Sequence, residues 1–324
     1  MPPRQGVKSE WNWGSLVSLI FFSFLSFFQT LLKSLSGSDF PVATPPTLTQ
    51  AEYVAFLDSL PVHSSRLYFA LKDGNVEEAK GILRNNPNLD VNWDNNHGHT
   101  ALTVACWNYD SMVSILLVHP AIIINSKKNE GQTPFYGACQ EGPTCVRLLL
   151  KDPRVEVNEP DQYGGTPLRA VALDGLIDII EWWIASGREM DLGTPGDIYK
   201  TDAIGVAKRE GYREVVTLLE RFKENQEETR HAMRVQLGWY DEAASEIFAL
   251  VVFVSDELLH VKDTIPTLAA RFFNIARRLP LELQMIICHL VVRSPKEIIP
   301  GKDSEVAFKS LAESLLWSSI FTSS

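Results

Sequence analysis

The feature that most constrains this chain is a spacing. Gly98-His-Thr-Ala-Leu102, Gly131-Gln-Thr-Pro-Phe135 and Gly164-Gly-Thr-Pro-Leu168 put threonines at 100, 133 and 166, an interval of 33 residues. The same interval links Val91-Asn92, Ile124-Asn125 and Val157-Asn158, and again Leu83, Leu116 and Leu149. Three registers locked to one period mean that a single supersecondary unit recurs. A unit of this size cannot shield its own apolar side, so copies must stack.

Each unit reads as turn, helix, short turn, helix, loop. Gly98, Gly131 and Gly164 supply the backbone freedom of a tight turn, and Thr100, Thr133 and Thr166 stand where a side-chain oxygen caps the next helix. Pro134 and Pro167 then occupy its first position, where the missing N–H costs nothing. The first helix carries small residues, as in Ala105-Cys106, Ala138-Cys139 and Ala170-Val171-Ala172, which allow close approach of neighbours. The second carries bulk, as in Ile115-Leu116-Leu117, Leu148-Leu149-Leu150 and Trp182-Trp183-Ile184.

This pattern resembles the ankyrin repeat family. The resemblance covers about half the chain: a capping unit from Ser64, clear units from Gly98, Gly131 and Gly164, and a degenerate closing unit from Tyr199 to Lys223. It departs from the family at Ala101, which replaces a proline, and at Thr103, Tyr136 and Arg169, which stand in place of histidine. The resemblance implies an all-α solenoid of about five units over residues 51–223, with an N-terminal capping helix and an appended C-terminal helical region at 224–324. It also implies a protein without an active site, cofactor, metal or small-molecule substrate, which binds another protein. Carried over by register, the binding positions are Lys72, Asp73, Trp107, Asn108, Gln140, Glu141, Leu173, Asp174, Arg209 and Glu210. Most of these rows hold an acid, which suits a basic or amphipathic partner with an apolar anchor. Trp107 is either such a contact or a side chain packed on the neighbouring repeat. The turn tips offer His97, His99, Lys127, Lys128, Gln132, Gln162 and Tyr163 as further contacts.

Acidic residues outnumber basic ones by 40 to 30, which disfavours a phosphate backbone as partner. The four cysteines, Cys106, Cys139, Cys145 and Cys288, lack the paired short spacing of zinc sites and the density of a disulfide framework. They fit a reducing, cytoplasmic compartment. No phosphate-binding loop, dinucleotide fingerprint or zinc-protease helix is present in the sequence.

Residues 1–36 form an apolar N-terminal segment, uncharged from Trp11 to Leu32. As a helix, its 19 residues from Gly14 to Leu32 would reach about 28 Å, close to the ~30 Å of a hydrocarbon core. Ser15, Ser18, Ser23, Ser26, Gln29, Thr30 and Lys33 fall on one side, so residues 14–32 could span a bilayer or lie in its interface. A cleaved signal peptide is a third reading, because Arg4 and Lys8 precede the run. Residues 37–50, rich in Ser, Thr and Pro, read as a linker.

Beyond Lys223 the period stops. Glu242 to Leu259 reads as a buried helix that caps the stack or opens a small appended domain. Leu279-Pro-Leu-Glu-Leu283, followed by Ile286, Ile287 and Leu290, is similar to the opening of an F-box over residues 279–290. That similarity implies docking on a Skp-type adaptor, with the repeats as substrate receptor of a cullin-type ubiquitin ligase. A membrane-anchored adaptor is the other alternative.

Overall fold

A computed structural model describes residues 63–322, apart from 96, 109, 129, 194–200 and 261–267. The apolar N-terminal segment, the linker and the start of the capping helix lie outside the described residues. Among the described residues the regular elements are all α-helices, with one isolated bridge joining Asp94 to Thr100. The chain is all-α.

The helices come in pairs. Residues 63–72 (α1) precede Val76–Asn85 (α2), followed by Ala101–Asn108 (α3) and Asp110–Val118 (α4), Pro134–Glu141 (α5) and Pro143–Lys151 (α6), Pro167–Asp174 (α7) and Ile177–Ser186 (α8), then Ala203–Glu210 (α9) and Arg213–Glu224 (α10). The first helices pack α3 on α5 on α7 on α9, and the second helices pack α4 on α6 on α8 on α10. Two parallel rows result, an inner row of eight-residue helices and an outer row of longer ones.

Sequence and chemistry explain the repetition. Thr133 Oγ1 accepts from Tyr136 N at 3.2 Å, Thr166 Oγ1 from Arg169 N at 3.3 Å, and Thr100 Oγ1 from Thr103 N at 3.3 Å. In the closing pair Asp202 does the same for Gly205 N at 2.7 Å. Gly131 sits at φ +78°, and a Cβ there would stand 2.7 Å from Gln162 N, because that amide, in the next turn, donates to Glu130 O at 3.0 Å. These two turn tips are therefore hydrogen-bonded to one another directly. Between the rows, Leu83, Leu116 and Leu149 are fully buried, each contributing roughly 1.5–3 kcal/mol of apolar transfer.

A second set of bonds staples the units from below. Asn92 Nδ2 donates to Ala121 O at 2.7 Å while its Oδ1 accepts from Ile123 N at 2.7 Å. Asn125 repeats this with Arg154 O at 2.8 Å and Glu156 N at 2.9 Å, and Asn158 with Glu189 O at 3.3 Å and Asp191 N at 3.0 Å. Each amide satisfies one donor and one acceptor of the following loop, which backbone alone leaves open.

After α10 the chain turns back. Gln226–Gln236 (α11) packs on α8 and α10, Trp239–Ser255 (α12) follows it, and Leu268–Ala276 (α13), Leu281–Val292 (α14) and Gly301–Thr322 (α15) all pack against α12. The buried α12 begins three residues before and ends four residues before the Glu242–Leu259 stretch expected from sequence, since Gly238 in the left-handed region starts it and Asp256 closes it. α15 then reaches α4, near the opposite end of the stack from α11. The C-terminal helices thus run back along the outer row, from the last pairs to the first, as well as covering the stack's end.

Candidate functional site

The inner row ends in a line of exposed side chains. Gln140 and Glu141 close α5, Leu173 and Asp174 close α7, and Arg209 and Glu210 close α9; all six are exposed, Leu173 by 36%. Because α3, α5, α7 and α9 pack side by side in the same sense, these ends lie along one edge. Lys72 and Asp73, at the end of α1, are exposed as well. The side chain of Asn108 lies outside the described residues.

Trp107 differs from its neighbours in the row. It is half-buried, packs against the core, and meets the His99 ring edge-on at 5.1 Å. Its indole Nε1 lies 4.0 Å from where a Cβ on Gly137 would be, so it leans over the next inner helix, which has no side chain there to obstruct it. Of the two sequence readings, packing on the neighbouring repeat describes most of its surface. Burial, with the Lys128 and His97 charges, holds the His99 imidazole below the ordinary histidine value.

Aromatic groups that the repeat register did not single out add to this edge. Phe69 on α1 is 48% exposed, with its ring 5.3 Å from Tyr68 and 6.3 Å from Trp93. Tyr212, 40% exposed, lies against Gly175, where any Cβ would come within 2.5 Å of the phenol ring. The legible signal for Phe69 was an aromatic on an inner helix with no small-residue counterpart. Of the turn-tip residues, His97, Lys127, Gln162 and Tyr163 are exposed, while His99, Lys128 and Gln132 are half-buried.

The inner-row ends and the contact between α6 and α12 differ in how their acids are paired. Asp73, Glu141 and Asp174 have no ion-pair partner among the described residues, and Glu210 pairs only with its neighbour Arg209, at 2.8 Å. Where α6 meets α12 the acids are neutralised. Arg147 donates to Glu242 at 2.7 Å, and Lys151 donates to Glu242 at 2.7 Å and Glu246 at 2.6 Å, joining α6 to α12. Burial would push Lys151 down, but the Glu246 and Glu242 carboxylates outweigh it and hold its ammonium above the ordinary lysine value. Burial would likewise raise Glu242, yet Lys151 and Arg147 keep it below the usual glutamate value of 4.5. These groups line a cavity of about 500 Å³ between α6, α12 and α15.

Farther along, α15 fastens to the first two pairs. Trp317, 2% exposed, receives the Arg84 guanidinium over its ring at 5.4 Å, and Lys80 approaches Glu313 at 3.9 Å. Phe321 meets the His119 ring edge-on at 4.5 Å. His119 Nε2 lies 3.2 Å from Pro87 O and its Nδ1 accepts from Ala121 N at 3.2 Å, a pattern that requires the neutral ring protonated on Nε2. Burial lowers its pKa below 6.5, with the Pro87 carbonyl opposing.

The four cysteines are enclosed. Cys106 and Cys139, at the small-residue positions, and Cys145 on α6 are buried near one another; burial and the Cys145 neighbour push the Cys139 thiol well up, and the hydrogen bond to Cys106 with burial does so for Cys145. Burial pushes Cys288 up to about 12. Thiols held protonated in this way are poor nucleophiles. The 279–290 stretch forms α14, led by Pro280, with Leu283 44% and Leu290 65% exposed, Ile286 and Ile287 half-buried, and Gln284, Cys288 and His289 facing inward. Among the described residues no helix is long and apolar enough to cross a membrane. No protein-family model matches the chain, and no curated protein matches it.

Proposed function

We propose that this chain is a non-enzymatic scaffold of the ankyrin type, with about five units, that holds another protein along the ends of its inner helices and its turn tips. The observation that carries this reading is the contrast between its two faces. The outer row packs against the chain's own C-terminal helices and, at α6, pairs Arg147 and Lys151 with Glu242 and Glu246, while the inner-row ends stay exposed and keep Asp73, Glu141 and Asp174 without ion-pair partners among the described residues. The ankyrin assignment is supported by the 33-residue registers, the threonine caps and the paired rows.

The partner that fits is basic or amphipathic, with an apolar group to set against Phe69 or Leu173. Unpaired carboxylates at an exposed rim act mainly on association rate and specificity. Proximity labelling with the full chain identifies the partner. A variant carrying Asp73→Lys, Glu141→Lys and Asp174→Lys is then expected to lose it while keeping its melting temperature. Partners that stay bound to the triple variant would remove the basis for this assignment.

A further inference from the structure

A separate surface lies at the corner between α13 and α14. Leu268 and Ile275 on α13, with Leu281, Leu283 and Leu290 on α14, are each 44–65% exposed. On α13, Leu268, Arg271 and Ile275 share one helical face, while Ala269, Ala270, Phe273 and Ala276 are buried on the other side. On α14, Leu283, Ile286, Ile287 and Leu290 share the face opposite the buried Gln284, Cys288 and Val292. Both helices rest on α12, and both turn apolar side chains outward. A helix that is apolar on both sides normally has both sides covered.

The charges around this corner say what covers it. Between Arg271 and Arg293 the chain holds four arginines and a single acid, Glu282, in a protein whose acids outnumber its bases 40 to 30. Arg271, Arg277 and Arg278 are exposed, and their guanidinium groups have no ion-pair partner among the described residues. Arg277 and Arg278 fill the turn between Ile275 and Leu281, so cationic and apolar groups alternate along a few residues of chain.

We propose that the α13–α14 corner is a peripheral docking surface for an anionic lipid bilayer. Leu283, Leu290 and Ile275 enter the headgroup region, and Arg271, Arg277 and Arg278 meet lipid phosphates and carboxylates. An apolar protein groove would accept the leucines of α14 but leave those arginines unanswered, whereas an anionic interface takes both. The uncharged run at residues 14–32 offers a second, independent membrane signal in the same chain, and lasting attachment requires two.

The test is cosedimentation of the full chain with vesicles of phosphatidylcholine alone or mixed with phosphatidylserine. Each cation near such a surface is worth about a fivefold change in affinity. Phosphatidylserine is expected to strengthen binding, added salt to reverse the gain, and the combined variant Arg271→Gln, Arg277→Gln, Arg278→Gln to cut the phosphatidylserine-dependent part by about a hundredfold. The exposed pair Leu283→Ser, Leu290→Ser should weaken binding to both vesicle types. Arg4, Lys8 and Lys33 flank residues 14–32 and add their own preference for phosphatidylserine, so the arginine variant is the arm that assigns the effect to α13 and α14. Equal binding to both vesicles, or an undiminished phosphatidylserine effect in the arginine variant, overturns the proposal. Capture of the chain by a Skp-type adaptor through α14, without any preference among vesicles, overturns it too and gives the surface to a protein.

Discussion

The paired helices and the returning helices solve the same burial problem by opposite means. From α1 to α10, recurring contacts join each unit to the next copy, through stacked helices and asparagine staples one period apart. From α11 to α15, the contacts reach across the sequence: Arg147 to Glu242 spans 95 positions, and α15 meets α2 and α4 from the far end of the chain. The first region spreads its stability over repeated neighbours; the second concentrates it in a few contacts that close a long loop. Damage should therefore propagate in one and stay local in the other.

The largest effect is expected from Trp183→Ala. This side chain is fully buried in α8, edge-on to Phe135 at 5.0 Å, with its Nε1 donating to Glu189 O at 3.3 Å. A loss of about 3–5 kcal/mol is expected by chemical denaturation, with hydrogen exchange accelerating across α5 to α10 rather than in α8 alone. Trp317→Ala removes a comparable ring from the returning arm. Its exchange increase should be confined to α15 and the surfaces of α2 and α4 beneath it; faster exchange throughout α5 to α10 would erase the contrast between the two regions.

Asn125→Ala is next. It deletes two hydrogen bonds between adjacent units, at 2.8 and 2.9 Å, and should cost about 1–3 kcal/mol by thermal melting. Acid should loosen the returning arm first. The His119 pKa is lowered in the folded state, so the unfolded chain binds the extra proton, and stability falls as pH drops from 6.5 toward the folded value. Glu242 is also depressed, and its contribution, complete above its ordinary 4.5, is lost as pH falls through its folded value. Two successive losses of α15 protection on acidification are expected, with the upper one absent in His119→Gln. At the small end, Glu141→Lys on the exposed inner edge should leave the melting temperature within measurement error and alter partner association alone.

The two regions also differ in how far their sequence can be read. The repeats announce themselves because each unit meets the same neighbour, so Thr133, Pro134 and Leu149 recur one period from their counterparts and their roles follow from position. The asparagines at 92, 125 and 158 were visible as a register, but their bonding was not; a polar residue recurring beside an apolar one was the available clue. Nothing periodic links Lys151 to Glu246 or Arg84 to Trp317, since each pair occurs once and is brought together by the path of the whole chain. Among the candidate binding residues, exposure followed from register for Gln140, Glu141, Leu173 and Asp174. It failed for Trp107, where the absence of a side chain at Gly137 lets the indole fold down onto the next helix.

The long return of α15 has a consequence for how this protein can vary. A stack held only by neighbour-to-neighbour bonds can gain or lose a copy and close up again, which is how repeat arrays change length. Here a strut is anchored on α6 through Glu242 and on α2 and α4 through Trp317, and its span is fixed by its own helices. Inserting one more copy between those anchors would pull them apart by the thickness of a helix pair. The returning arm therefore works as a ruler, and gene duplication between Asn86 and Arg147 should not be tolerated.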